Sequence, residues 1–208
     1  MKNKAIYLLI SILFIVLFVL FTFIVKTDVL NSTDFNTTVR LQNHIPKKFD
    51  LYLSFLSLIG SVEIIGLILL ALLILHKKIK SALIIAMFFG GHFLELIGKI
   101  FLTHPGPPFL FFRYDIPFLF PSSYVQPGSS YPSGHSMRIV FISILFIYFI
   151  QKIKKLDIYK KYIGYFIVLL LTLTMLLSRI SLGEHWTTDV VGGSLLGAAI
   201  GFISLIFL

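Results

Sequence analysis

The sequence of 208 residues contains no cysteine and little charge. Without a thiol the chain cannot form a disulfide, an iron–sulfur cluster, a thiolate zinc site or a cysteine nucleophile, which excludes several classes of enzyme. Charged residues make up only 13% of the chain against 57% hydrophobic residues, and the mean hydropathy is +0.95. This composition is far from that of a soluble domain, so we expect a protein whose main solvent is lipid.

Acidic residues are also scarce, which gives the chain a formal net charge of +9. A basic protein can bind nucleic acid, but here the lysines and arginines lie in short clusters between apolar runs and form no basic tail. Membrane topology explains these clusters better, and we expect no nucleic-acid partner.

Six apolar runs are each near the length that crosses a bilayer. They cover approximately residues 5–25, 51–75, 81–102, 133–150, 162–177 and 189–208. The first run resembles a signal peptide, but it is too long for one and no small-residue cleavage site follows it. The sequence therefore predicts an all-α, polytopic membrane protein, a six-transmembrane-helix bundle in a single domain over residues 1–208.

The distribution of basic residues predicts the orientation of this bundle. The N-terminus and residues 76–80 and 151–161 together carry ten lysines and arginines, whereas the connections 26–50 and 103–132 carry five. By the positive-inside rule both termini are cytoplasmic. The first outer connection, residues 26–50, has helical spacing of a few apolar residues, and it fits either a short interfacial helix or a plain loop.

Polar residues are costly inside a membrane, and here they concentrate in three segments. Lys99 ends the third span, where it can bind a phosphate or simply extend to the interface, and Glu95 one turn earlier is expected to pair with it. Ser133 and Gly134 begin the fourth span, and His135 follows. This start is either an ordinary loop-to-helix transition or a phosphate site at a helix N-terminus.

The third segment joins the fifth span to the sixth and contains Arg179, His185 and Asp189. If a helix begins near His185, a spacing of four places His185 and Asp189 on one face, where the carboxylate can accept a ring N–H and leave the other nitrogen free to attack. Arg179 can donate paired hydrogen bonds to a phosphoryl group. Because spans three and five run outward while four and six run inward, all three segments meet at the outer face.

These residues resemble the type 2 phosphatidic acid phosphatase (PAP2) superfamily, whose motifs are Lys-x6-Arg-Pro, Pro-Ser-Gly-His and Ser-Arg-x5-His. The second motif stands at residues 132–135, and the third begins at Ser178 and Arg179 and ends at His185. The order, separation and membrane side of the motifs agree, and the likeness runs from about residue 51 to the C-terminus. The resemblance implies a membrane lipid phosphatase.

The same resemblance implies the roles of individual residues. His185 would attack phosphorus and form a phosphohistidine, His135 would protonate the leaving oxygen, and Asp189 would orient His185. The residues that would hold the phosphate are Lys99, Ser133, Gly134 and Arg179. We expect neither a metal nor another cofactor, because lysine and arginine supply the positive charge that a divalent ion would otherwise bring.

The first motif departs from the family pattern, because Gly106 stands where its arginine is expected. Arg138 could compensate, since it lies three residues after His135 and projects from nearly the same face. His104, if protonated, is a second candidate. Alternatively, Arg138 binds lipid headgroups or another carboxylate.

The outer connection 103–132 contains eight aromatic residues, too many for a loop free in water, and we expect it to rest at the membrane interface. A lipid substrate in the bilayer follows from this placement. Candidates are an isoprenoid diphosphate such as undecaprenyl diphosphate, phosphatidic acid, phosphatidylglycerol phosphate and lipid A. A lipid phosphotransferase and a catalytically impaired lipid-binding or transport protein remain alternatives. The expected location is a bacterial-type plasma membrane, with the active site on the extracytoplasmic face.

Overall fold

The computed structural model describes residues 2–76, 82–118, 120 and 128–208, and these residues contain helices but no strand. Within these residues the α-helices are α1 (Lys2–Lys26), α2 (Asn31–His44), α3 (Asp50–Ile59), α4 (Val62–His76), α5 (Ala82–Phe101), α6 (Gly134–Lys152), α7 (Ile158–Ser181) and α8 (Thr187–Ser204). Short 3-10 turns cover Lys47–Phe49, Phe109–Phe111 and Leu205–Phe207. Most of the basic cluster expected at 76–80, and the loop residue Tyr124, lie outside the described residues.

The described helices confirm the prediction of a six-span bundle. Five of them, α1 and α5 to α8, are long and apolar enough to cross a bilayer. The sixth span is the pair α3 and α4, which is bent by 52° at a short break. Gly60 and Ser61 occupy this break, which the sequence pattern did not predict.

Both ends of the fifth span differ from the sequence prediction for a simple reason. The fifth span was expected over 162–177, but α7 extends from Ile158 to Ser181 because polar residues at both ends continue the helix beyond its apolar centre. Asp157 caps its first turn by accepting a hydrogen bond from the Lys160 backbone N–H at 2.9 Å. The connection 26–50, left open between helix and loop, contains the helix α2.

The centre of the bundle is the contact between α6 and α8, with α1 packed on the other side of α8. Gly193 and Gly197, one turn apart, let the backbones of α6 and α8 touch. A Cβ at Gly193 would lie 2.2 Å from the Ser133 carbonyl oxygen, and one at Gly197 would lie 2.2 Å from that of Met137. This close approach fixes the start of α6 against the start of α8.

Helix α2 and the loop between α5 and α6 hold each other against this end of the bundle. Arg113 in the loop donates to both carboxylate oxygens of Asp50, at 2.9 and 2.7 Å. The side-chain amide of Gln42 in α2 donates to the carbonyl oxygens of Phe111 and Ser181, at 2.6 and 3.0 Å. Ser181 ends α7, so the loop, α2 and α7 form one unit here.

Both chain termini lie at the opposite end of the bundle. The Lys4 ammonium donates a hydrogen bond to the Ile206 carbonyl oxygen at 2.5 Å, which joins the first turn of α1 to the last turn of the chain. The three polar segments are therefore remote from the termini and adjacent to one another.

Candidate active site

The three polar segments enclose a cavity of about 570 Å³. Six of the residues singled out from the sequence line it, namely Lys99, Gly134, His135, Arg138, Arg179 and His185. The other three, His104, Ser133 and Asp189, are buried immediately behind its wall. The helix directions expected from the sequence thus bring all three segments together.

His185 and Asp189 form a buried pair where α7 passes into α8. Gly183 reverses the chain after α7 with φ of +68°, a conformation that favours glycine, and a Cβ there would collide with the Phe111 carbonyl oxygen at 2.1 Å. His185 Nδ1 donates to Asp189 Oδ2 at 3.3 Å, and the same oxygen accepts the Trp186 backbone N–H at 2.9 Å. Since Nδ1 faces the carboxylate, Nε2 is the nitrogen available for attack.

Burial sets the protonation of this histidine. It lowers the pKa of His185 below its ordinary value, and the hydrogen bond and charge of Asp189 oppose that shift only in part. The imidazole is therefore neutral at neutral pH, which is the form that can act as a nucleophile.

A second layer of polar residues holds Asp189 from behind. His104 Nε2 lies 3.5 Å from Asp189 Oδ1 and 3.2 Å from the hydroxyl of Thr188. Asp34 of α2 accepts hydrogen bonds from the Thr188 backbone N–H and hydroxyl, at 2.9 and 2.6 Å. Burial raises the pKa of Asp34 while these bonds lower it in part. The structure thus places His104 beside Asp189 and not on the cavity wall, where we had considered it as a phosphate ligand.

Lys99 and Arg138 share one carboxylate. Glu95 Oε1 lies 2.9 Å from Lys99 Nζ, as the helical spacing indicated, and Glu95 Oε2 lies 3.2 Å from Arg138 Nη1 and 2.9 Å from His92 Nδ1. Arg138 Nε also donates to the Gly60 carbonyl oxygen at 2.9 Å. Arg138 therefore binds another carboxylate, one of the two alternatives, and at the same time lines the cavity.

The start of α6 is held by its own cap and by α8. Ser133 Oγ accepts a hydrogen bond from the Ser136 backbone N–H at 3.4 Å, and the Ser133 backbone N–H donates to the Asp189 carbonyl oxygen at 3.0 Å. Gly134 leaves room for the Glu95 carboxylate, which a Cβ would meet at 2.1 Å. His135 is then directed into the cavity, and its Nδ1 lies 3.4 Å from Arg138 Nη2.

Arg179 has partners that the sequence analysis missed. Its Nη1 lies 2.5 Å from Glu184 Oε2 and also donates to the hydroxyl of Ser57 in α3. Ser57 in turn donates to Glu184 Oε2 at 3.4 Å. The position of Glu184 directly before His185 could have drawn attention to it, whereas Ser57 and Asp34 come from distant segments and left no pattern to read.

The lining of the cavity carries charges of both signs. Three cations, Lys99, Arg138 and Arg179, line it with two carboxylates, Glu95 and Glu184, and the charge of Glu63 also acts on Arg138. The N–H donors of the three cations suit an anionic group. Among the described residues, no group of three or more His, Asp or Glu side chains is arranged to hold a metal ion. This arrangement has the charge and the donors that can hold a tetrahedral anion beside two histidines.

Comparison with known proteins identifies the family of this chain. The family model of the PAP2 superfamily matches residues 79–208, which include all three polar segments. The chain belongs to the PAP2 superfamily. Over 130 residues it is 30% identical to phosphatidylglycerophosphatase B of Bacillus subtilis (strain 168), which covers 62% of this chain. The aligned part spans 58% of that relative's length.

Two solved structures share the fold. A transmembrane PAP2-type phosphatidylglycerolphosphate phosphatase from Bacillus subtilis superposes with a TM-score of 0.75, at 20% identity, over 94% of each chain. LpxE from Aquifex aeolicus superposes with a TM-score of 0.61, at 23% identity, over 83% of this chain and 94% of its own. Both support the six-span fold as that of an integral membrane protein.

Proposed function

We propose that this protein is a membrane lipid phosphatase that releases phosphate from a phosphomonoester or diphosphate lipid through a phosphohistidine at His185. The observation that carries the proposal is the buried His185–Asp189 pair beside a cavity lined by Lys99, Arg138 and Arg179. A neutral imidazole with one nitrogen fixed by a carboxylate is a positioned nucleophile, and the three cations match the charge of a phosphoryl group.

The reaction has two steps that use the same residues. In the first, His185 Nε2 forms a bond to phosphorus, the bond from phosphorus to the leaving oxygen breaks, and His135 gives that oxygen a proton. In the second, water attacks phosphorus, His135 takes a proton from that water, and the P–N bond breaks to release inorganic phosphate. Asp189 stabilises the positive charge that His185 carries between the steps.

The surroundings of the cavity support a lipid substrate. In the loop above it, Phe109 and Leu110 are 87% and 89% exposed, an exposure that suits side chains inserted into the interfacial region of a bilayer. A glycerophospholipid phosphate such as phosphatidylglycerol phosphate is the first candidate, because the curated relative carries that activity in its name. Phosphatidic acid and undecaprenyl diphosphate are the other two candidate substrates for the assay described below.

We further propose that the site faces the extracytoplasmic side of a bacterial-type plasma membrane and that residues 1–208 act as a single domain. The excess of basic residues in the connections at the opposite end supports this orientation. Asp34 of α2 reaches the start of α8, so the N-terminal segment contributes to the same site.

The experiment is to assay purified protein against these three lipid phosphates and to measure phosphate release. His185→Ala is the control, because it removes the nucleophile from a site that is otherwise held by α6 and α8. Release by the wild type with none by the variant supports the proposal. Equal release by both proteins would defeat it, and labelled phosphate appearing in a second lipid would identify a phosphotransferase instead.

A further inference from the structure

A second cavity, of about 270 Å³, lies between the bent span and helices α6 and α7, and we call it the apolar groove. Its walls are almost entirely hydrocarbon, with Ile59 and Ile65 on one side, Ile142 at its base and Leu171 opposite. The two hydroxyls on its lining, Ser143 and Thr172, bond to each other at 2.6 Å, and Thr172 also donates to the Val168 carbonyl oxygen at 2.7 Å. Both hydroxyls therefore have hydrogen-bond partners within the protein, and neither needs one from a ligand.

The bend in the second span explains why the groove exists. Helix α3 packs chiefly against α7, whereas α4, turned by 52°, packs chiefly against α6. Helix α4 therefore diverges from α7 while α3 stays against it, and a wedge opens between α4 and α7 with α6 as its base. Because Ile59 and Leu171 on its edges are exposed, this wedge opens toward the bilayer.

The groove and the catalytic cavity are neighbours on the same helices. Along α6, Arg138 lines the catalytic cavity and Ile142, one turn on, lines the groove. Along α7, Arg179 lines the cavity and Met175, one turn earlier, lines the groove. In both helices the groove residue is the one nearer the middle of the span.

Only a thin partition separates the two spaces. Gly60 lies at the bend, where a Cβ would meet the Met175 Cε at 1.8 Å and the His135 Cδ2 at 3.1 Å. Thus Met175, a flexible side chain on the groove side, and His135, on the cavity side, approach the same point. A molecule with its phosphate beside His135 would have hydrocarbon directly below it at this point.

We propose that the apolar groove binds a hydrocarbon chain of the same lipid whose phosphate occupies the catalytic cavity. The proposal rests on the proposed function and names the site of the substrate's tail. A polar pocket above and an apolar groove directly below, which are separated only where Met175 and His135 approach Gly60, have the two-part chemistry of a phosphorylated lipid. The lipid's hydrocarbon chain enters the groove from the bilayer and not from water, so its burial there gains little hydrophobic free energy. The groove therefore assists the reaction mainly by fixing the position of the phosphate.

The test fills the groove by Leu171→Trp and uses Leu170→Trp as a matched control. Both leucines are on α7 and similarly exposed, at 50% and 52%, but Leu171 lines the groove and Leu170 does not. Each protein is assayed in the same detergent micelles with palmitoyl and hexanoyl forms of one phosphate lipid. We expect Leu171→Trp to lower kcat/KM about tenfold for the long-chain form and less than about twofold for the short-chain form.

Several outcomes would overturn the inference. Equal losses for both chain lengths, or equal losses in Leu171→Trp and Leu170→Trp, would mean that the substrate chain lies elsewhere. If Leu171→Trp does not fold, Ile59→Trp fills the groove from α3, and its kcat/KM values for the two chain lengths are compared in the same way. If the wild type hydrolyses neither form, the proposed function fails. If it hydrolyses both forms and the groove variant does not discriminate between chain lengths, only the groove proposal fails.

Discussion

Glu184 and Arg179 form an ion pair in the wall of the catalytic cavity, with Glu184 Oε2 2.5 Å from Arg179 Nη1. A carboxylate offers a guanidinium the same paired oxygens that a phosphate offers. In the proposed mechanism Arg179 holds the substrate phosphate, so the phosphate has to share Arg179 with Glu184 or displace it. We therefore expect Glu184 to limit how strongly the arginine binds a phosphate.

The first prediction concerns this competition. Glu184→Gln removes the charge but keeps the size of the side chain, so it should lower the inhibition constant of inorganic phosphate by about tenfold, or about 1.4 kcal/mol. Glu184→Asp, which keeps the charge, is the control and should change it little. Competitive inhibition measured in both variants checks the prediction, and weaker inhibition in Glu184→Gln would show instead that Glu184 orients Arg179 for phosphate.

The second prediction follows from the lowered pKa of His185. Because burial lowers that pKa and the nucleophile must be neutral, the acid limb of kcat/KM for the wild type should lie below the ordinary histidine value of about 6.5. Asp189 raises the pKa of His185, so Asp189→Asn should move this limb to still lower pH. It should also reduce the plateau by on the order of 10²- to 10⁴-fold, because the charged intermediate loses its counter-ion.

A pH profile on the hexanoyl substrate measures both effects. An asparagine at 189 still offers an oxygen to the Trp186 backbone N–H, so α8 should begin at the same place. A lower plateau with an unmoved acid limb would mean that Asp189 supports the fold without interacting electrically with His185.

The third prediction separates the two functions of Arg138. Arg138→Met breaks a buried ion pair and leaves Glu95 with less compensation, which should cost roughly 3 kcal/mol of stability and reduce turnover. Adding Glu95→Gln removes the opposing charge and should restore most of the stability but not the turnover. Unfolding in denaturant and phosphate release are measured on both proteins. Unchanged turnover in Arg138→Met would discard the idea that Arg138 compensates for the missing motif arginine.

The fourth prediction concerns the position of that missing arginine. Gly106 lines the cavity, and a Cβ there would make only ordinary contacts, 3.4 Å from the Ser130 Cβ and 3.9 Å from its Oγ. Gly106→Arg should therefore fold normally and add a cation, lowering KM for a phosphate lipid by about tenfold. Gly106→Gln is the uncharged control. An unchanged KM in the arginine variant would mean that Lys99, Arg138 and Arg179 already make all the cationic contacts that the phosphate can accept.

The sequence analysis predicted the helical parts of this site because they follow local rules. The spacing of Glu95 and Lys99 is a helix periodicity, and this pair forms within α5. His185 also contacts Asp189, but it lies two residues before α8, so the contact crosses the start of that helix. The bend at Gly60 and Ser61 was not predicted, because the run was interpreted as one continuous span although a glycine–serine pair is a site at which helices kink. A single apolar run over 51–75 contains no proline to indicate a break.

Contacts between distant segments account for the remaining differences. Asp34 lies in a polar helix outside the spans, and nothing near it in the chain indicates that it caps the backbone of Thr188. His104 was a candidate to replace the missing motif arginine, yet it lies beside Asp189 and does not line the cavity. The residue types indicated the chemistry of the site, whereas the partner of each residue could be identified only from the folded structure.

The most direct test of the account is to identify the covalent intermediate. The wild type is mixed with a lipid carrying labelled phosphate, quenched in base, where phosphohistidine survives, and digested to locate the label. The account predicts label on the peptide containing His185, loss of that label in His185→Ala, and accumulation in His135→Ala when the leaving group needs no proton. Turnover of the lipid with no label on His185, or label retained in His185→Ala, would contradict it.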